Sequence, residues 1–354
     1  MNGANLVNEE VSWSVLDIPV HGTITAPKDR EASAAVIFLA GSGPTDRDWC
    51  TPLIPGNNGS GKLLAEFLAS RGFVTLRYDK LGSGPRVREN FPKFAGKVSM
   101  QAFVDELFGA VETVLSERSA MKNNLFALTN SEGSIHAVNY QLQAKSTRFK
   151  GLVLTGAPGR AVGELARNQI LEQTRFLTQA TGAAGLATEP DSGTKPPLDA
   201  EGLMKHYDQA IADFVAGKPV HIEESLPKGL KDMLLAVTTP ANQPFSRELW
   251  AYSLPDHLSR VNDPTLVVIG KKDIQVDWKV DGKALEAAPA NKDTVTFAYP
   301  EDANHVLKHE ERPRDALDAA YVCSNYNAPS AQLDEEAAGL ILDWLVNQSR
   351  SRKC

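Results

Sequence analysis

Short runs of apolar residues alternate along the chain with stretches whose apolar positions recur every three to four residues. Eight runs read as strands: Val11–Leu16, His21–Ala26, Ala35–Leu39, Phe73–Tyr78, Leu125–Leu128, Leu152–Thr155, Thr265–Ile269 and Val295–Tyr299. The first two alternate apolar with polar positions, the pattern of an antiparallel edge hairpin. Most later runs are continuously apolar, as strands buried on both faces of a parallel sheet are. Between the runs, Leu63, Leu64, Phe67 and Leu68 share a helix face that Ser60 is placed to cap. Phe103, Leu107, Val111 and Val114 mark a second helix, with Ser99 as its N-cap. Near the C-terminus Ala337, Leu340, Ile341, Trp344 and Leu345 form the stripe of a helix docked on a core. Strand–helix alternation of this kind predicts a doubly wound, mostly parallel eight-stranded α/β sheet flanked by helices.

The rhythm breaks once. From about Gly159 to Asp263 there are no clear strand signals, only helical patterns joined by loops, and Gly182–Asp199 is rich in Gly, Pro, Thr and Asp. The expected organisation is a core over residues 1–158, an inserted helical lid over 159–263, and the rest of the core over 264–354.

Composition narrows the function classes. Lys and Arg total 37 against 44 Asp and Glu, a net charge of −7 with no basic block. Such a chain is a poor partner for a phosphate backbone, so nucleic-acid binding is not expected. The longest strongly apolar stretch, around Ala34–Gly41, is far shorter than the ~20 residues needed to span a bilayer. Three scattered cysteines (Cys50, Cys323 and Cys354) supply no disulfide framework. The expectation is a cytoplasmic protein with no membrane segment.

Chemistry concentrates where strands end. Leu125–Ser134 reads LFALTNSEGS, a strand running through Ser131 into a helix-prone stretch. A nucleophile elbow needs that context, with small residues two before and two after the serine. Gly133 meets the second requirement; Thr129 stands where glycine is usual. After Thr265–Ile269 comes GKKD, ending at Asp273, and after the run ending at Tyr299 comes EDANH, ending at His305. Serine, acid and histidine in that chain order, each just past a strand end, are the pattern of a Ser-His-Asp triad on an open parallel sheet. Asp277 is a rival for the acid. A glycine-rich turn after the third strand, GSGPTDRD (Gly41–Asp48), is suited to an oxyanion hole. The N–H groups of Ser42 and Glu132 are the candidate donors, with Gly43 as an alternative to Ser42.

These segments resemble the α/β-hydrolase superfamily, and within it the lidded serine esterases of the dienelactone-hydrolase-like and serine-aminopeptidase-like branch. The resemblance rests on GSGPTDRD, LRYDKLGSG (Leu76–Gly84), NSEG (Asn130–Gly133), LTGAPGR (Leu154–Arg160), VVIGKKDIQV (Val267–Val276) and ANHVLK (Ala303–Lys308), and covers about Val20 to Val346. It implies a serine hydrolase acting on small to medium carboxylic esters through an acyl-enzyme. Ser131 would be the nucleophile, His305 the base and Asp273 its orienting acid, with no cofactor. Lactone or amide hydrolysis, acyl transfer and a catalytically silent binding protein remain alternatives sharing these residues.

Other signals are weaker. Trp49, Trp250, Tyr252 and Trp278 are candidates for a substrate pocket, although aromatic residues more often simply pack. His305 and His309 stand four apart but lack the glutamate of a zinc-protease helix, so no metal site is expected. Gly56–Leu63 imitates a phosphate loop, but Leu63 replaces the hydroxyl residue that would hold Mg²⁺. Arg47, flanked by Asp46 and Asp48, reads either as a solvated turn or as a network with Arg77 or Asp79.

Overall fold

The computed structural model describes residues 5–170 and 199–351. The segment read as a loop, Gly182–Asp199, lies outside the described residues except for Asp199. Eight strands form one sheet: β1 (Leu6–Val15), β2 (Ile18–Pro27), β3 (Ala34–Leu39), β4 (Phe73–Asp79), β5 (Leu125–Asn130), β6 (Gly151–Thr155), β7 (Thr265–Val268) and β8 (Val295–Ala298). Their order is β1-β2-β4-β3-β5-β6-β7-β8. β1 and β2 form an antiparallel hairpin turned at Leu16 and Asp17, both at positive φ, and β2 is antiparallel to β4. Every pair from β4–β3 to β7–β8 is parallel.

Parallel pairing aligns the strand ends that matter. Leu39 of β3 is level with Thr129 of β5, Thr129 with Leu154 of β6, and Thr155 with Val268 of β7. The segments leaving β3, β5, β7 and β8 therefore emerge along one edge, which is how residues far apart in sequence become neighbours.

Helices α1 (Ser60–Ala69), α2 (Val87–Phe94), α3 (Met100–Glu117) and α4 (Gly133–Gln143) belong to the first half of the chain. Phe103, Leu107, Val111 and Val114 of α3 are buried, as their spacing requires. Two details differ from the sequence pattern. Ser60 is the first residue of α1 rather than its cap: Gly59 occupies that position and the Ser60 hydroxyl has no partner among the described residues. The carbonyl of Asp48 accepts the Gly61 N–H instead, so the helix start is satisfied from a neighbouring loop. In the C-terminal helix (Glu335–Arg350) Leu340 faces solvent, and Ala337, Ala338, Ile341 and Leu345 make the buried stripe. Asp334 caps that helix by accepting the Ala337 N–H at 2.8 Å. The main core lies where α1 and this C-terminal helix cover the sheet, with Val36, Phe38, Leu64, Leu68, Phe126 and Ile341 among its members.

The chain divides into two compact units. The sheet unit comprises Met1–Phe94, Gln101–Arg160 and Ser253–Cys354. The second comprises Ala95–Met100 and Ala161–Tyr252, and its described part is helical. It has its own apolar cluster, built around Leu203, Met204, Tyr207, Leu226 and Leu234. Among the described residues no helix is long and apolar enough to cross a membrane.

Candidate active site

β5 is wholly buried, and its chain turns sharply at Ser131, which sits at φ +53 before α4 begins at Gly133. A non-glycine residue in the left-handed region is strained, and the surrounding bonds hold it there. Ser131 N–H donates to the Thr155 carbonyl at 2.8 Å, and its own carbonyl accepts the Ser134 N–H at 2.9 Å. Gly133 is required by close approach: a Cβ there would stand 2.6 Å from the Leu39 carbonyl oxygen.

Thr129 takes the place of a small residue without opening the elbow. Its hydroxyl shares a hydrogen bond with the Ser134 hydroxyl at 2.8 Å and also lies 3.2 Å from the Val153 carbonyl. The side chain thus ties strand β5 to the first turn of α4 while remaining fully buried.

His305 and Asp273 meet at the same edge. The His305 Nδ1 lies 2.7 Å from Asp273 Oδ2, and both residues are buried. The second carboxylate oxygen of Asp273 accepts the N–H groups of Gln275 and Val276 at 2.7 and 2.9 Å, which fixes its plane. Asp277 is turned elsewhere: it pairs with Arg314 at 2.8 Å and accepts the Lys279 and Val280 N–H groups. The two halves are joined by Asn130, whose side-chain amide donates to the His305 carbonyl at 2.9 Å across 175 residues of sequence. Residues 305–309 do not form a helix. Ala303 and His309 instead form an antiparallel bridge, and His309 pairs with Asp334. Among the described residues no group of three or more His, Cys, Asp or Glu is placed to hold a metal ion.

The loop after β3 lies against the elbow. A Cβ on Gly41 would stand 2.9 Å from Asn130 Oδ1 and 3.3 Å from the Ser131 Cβ. Beneath it, Arg47 is part of a network rather than a solvated turn. Its guanidinium pairs with both Asp79 and Glu10 and donates to Thr23, and its backbone N–H donates to Asp79. Arg77 pairs with Asp48. Burial lowers the Arg77 pKa to about 10, and burial raises that of Asp46.

Three side chains in and around the turn after β4 carry chemistry that the sequence motifs left unused. Glu132 directs its carboxylate into the core, where Lys80 Nζ lies 3.4 Å and His136 Nε2 3.2 Å from Oε1. Burial would raise its pKa, but Lys80, His136 and Ser42 outweigh that and hold it at about 2. Glu106 is buried too, and burial raises it to about 8 although it accepts the Leu81 N–H. Lys80 lies inside the LRYDKLGSG segment, so its position was visible in the sequence; its partners were not.

The four pocket candidates divide. Trp49 packs on Phe38 with ring centroids 5.9 Å apart and belongs to the main core. Trp250 packs edge-on against Phe214 within the helical unit, and the N–H of Val162 donates to the carbonyl of Tyr252. Trp278 packs against Tyr299.

This sheet order, with its edge of strand ends, is the α/β-hydrolase fold. No family model matches the chain. It is similar to the esterase EstD of Thermotoga maritima, 25% identical over 301 residues that cover 84% of this chain and 60% of that protein. The chain therefore spans less than two thirds of that esterase's length. It is also similar to a proline iminopeptidase of Flavobacterium johnsoniae, 23% identical over 256 residues covering 70% of this chain and 78% of that one. Among solved structures, the proline iminopeptidase of Mycobacterium smegmatis superposes with a TM-score of 0.52 at 16% identity, covering 96% of this chain and 99% of the other.

Proposed function

We propose that the chain is a serine hydrolase that cleaves small to medium carboxylic esters through an acyl-enzyme. The observation that carries this reading is the buried 2.7 Å contact between His305 and Asp273 beside a serine held at positive φ on a strand-to-helix turn. Asp273 accepts a hydrogen bond from the Nδ1–H of His305, which leaves Nε2 unprotonated as the base. Ser131 Oγ attacks the acyl carbon as its proton passes to Nε2. The tetrahedral oxyanion is received by the N–H groups of Glu132 and Ser42, or of Gly43. Nε2 then returns the proton to the leaving alkoxide, and a water activated by the same base hydrolyses the acyl-enzyme. No cofactor takes part in this scheme.

Similarity to an esterase supports an ester substrate, and similarity to an iminopeptidase favours a second reading, an amide, with the same residues.

A fluorophosphonate probe with peptide mapping tests the nucleophile without knowledge of the substrate. Labelling at Ser131 that is lost in His305→Ala is the expected result. Hydrolysis of p-nitrophenyl acetate should fall about 10⁴-fold or more in Ser131→Ala. Unchanged hydrolysis would refute the assignment, and prolyl p-nitroanilide turned over faster than the ester would move the reading to amides.

A further inference from the structure

We propose that Lys80 is a positioning residue that aims the Ser42 N–H at the oxyanion, and that the buried carboxylate of Glu132 holds Lys80 in place. The inference rests on the serine-hydrolase reading above and adds a residue to it.

The argument starts from the geometry of a peptide group. Ser42 N–H and the Gly41 carbonyl belong to the same peptide, and in a trans peptide the two point in opposite directions. Lys80 Nζ donates to the Gly41 carbonyl, so the lysine fixes where that oxygen points and thereby where the Ser42 N–H points. The Glu132 N–H is oriented by the same logic. It shares a peptide with the Ser131 carbonyl, which the Ser134 N–H engages at 2.9 Å. Helix α4 therefore orients one donor, while the other lies on a glycine-rich loop with no regular structure to hold its plane. Neither the Ser42 nor the Glu132 N–H donates to another group among the described residues.

Lys80 is suited to the task by its surroundings. It is buried, its Nζ is 3.4 Å from Glu132 Oε1, and it stands over the Phe103 ring at 5.8 Å. A buried ammonium needs a compensating charge, and Glu132 provides it from the residue that follows the nucleophile. The Glu132 carboxylate also engages His136, which keeps it away from the acyl site. One residue thus supplies a donor through its backbone and anchors the other donor through its side chain. The negative charge this places near the oxyanion is neutralised by the lysine it holds.

The test is steady-state hydrolysis of p-nitrophenyl acetate by Lys80→Met, Lys80→Arg and Glu132→Ala, alongside fluorophosphonate labelling of the wild type. Lys80→Met keeps the length and loses the donor. Its kcat should fall about 100-fold with KM within about threefold, since loss of one oxyanion donor costs that much. Lys80→Arg, which can still reach the Gly41 carbonyl, should recover at least tenfold of that loss, an outcome that a merely space-filling role would not give. If Lys80→Met is not folded by circular dichroism, Glu132→Ala decides, with kcat expected to fall at least tenfold at similar KM. A folded Lys80→Met with wild-type kcat, or a loss confined to KM, would overturn the proposal. Failure of the wild type to label at Ser131 would instead remove the hydrolase reading itself.

Discussion

Two aspartates four residues apart show how little spacing alone decides. Asp273 meets His305, whereas Asp277 meets Arg314 and two backbone N–H groups. Asp273→Asn should therefore lower kcat on an ester about 10³–10⁴-fold, because the imidazole loses its orienting acceptor. Asp277→Asn should stay within about threefold. Equal losses in the two variants, measured under the same conditions, would break the pairing of roles. The preference for Asp273 was legible because it follows a strand end directly. Thr129 was legible only as a departure from pattern. That its hydroxyl reaches Ser134, five residues on, depends on the turn that brings the first residues of α4 back over β5. Lys80 was hidden for a similar reason: a lysine in a turn after a strand reads as solvated until the acidic group opposite it is known.

At the level of elements, a patterned chain reported the sheet better than it reported the ends and undersides of helices. All eight strands were foreshadowed by apolar runs, and the antiparallel hairpin by alternation. Caps and loop networks were not, because they depend on groups arriving from elsewhere, such as the Asp48 carbonyl at the start of α1. The cluster between α3 and the loop after β4 has a pH signature. Glu106, raised to about 8 by burial, keeps its proton in the folded chain and releases it near 4.5 when unfolded. The folded state thus binds more protons between those values, so this residue's contribution to stability falls as pH rises from about 4.5 to 8. One proton can change stability by at most about 1.4 kcal/mol per pH unit. Glu106→Gln retains an acceptor for Leu81 and loses the titration, so its stability relative to the wild type should be greater at pH 8.5 than at pH 5.5. Urea unfolding at the two pH values measures this, and an identical difference at both would contradict it. Glu132 does not interfere, since its contribution is present above 4.5 and is lost only as pH falls from there towards about 2.

Across the whole molecule, the proposed triad joins positions 131, 273 and 305, and Asn130 binds the His305 carbonyl over 175 residues. Contacts that distant form late, after local helices and hairpins. On refolding from urea, recovery of helical ellipticity should precede recovery of ester hydrolysis, and simultaneous recovery would count against the site being assembled by sheet closure. The same spacing bears on how the chain is made. A ribosome that has already extruded Ser131 must still deliver β7, β8 and the turn beyond them before any base can reach that hydroxyl. If the proposed triad is the one that acts, the growing polypeptide carries an inert serine from the moment Ser131 is made until β8 and the turn holding His305 have joined the sheet.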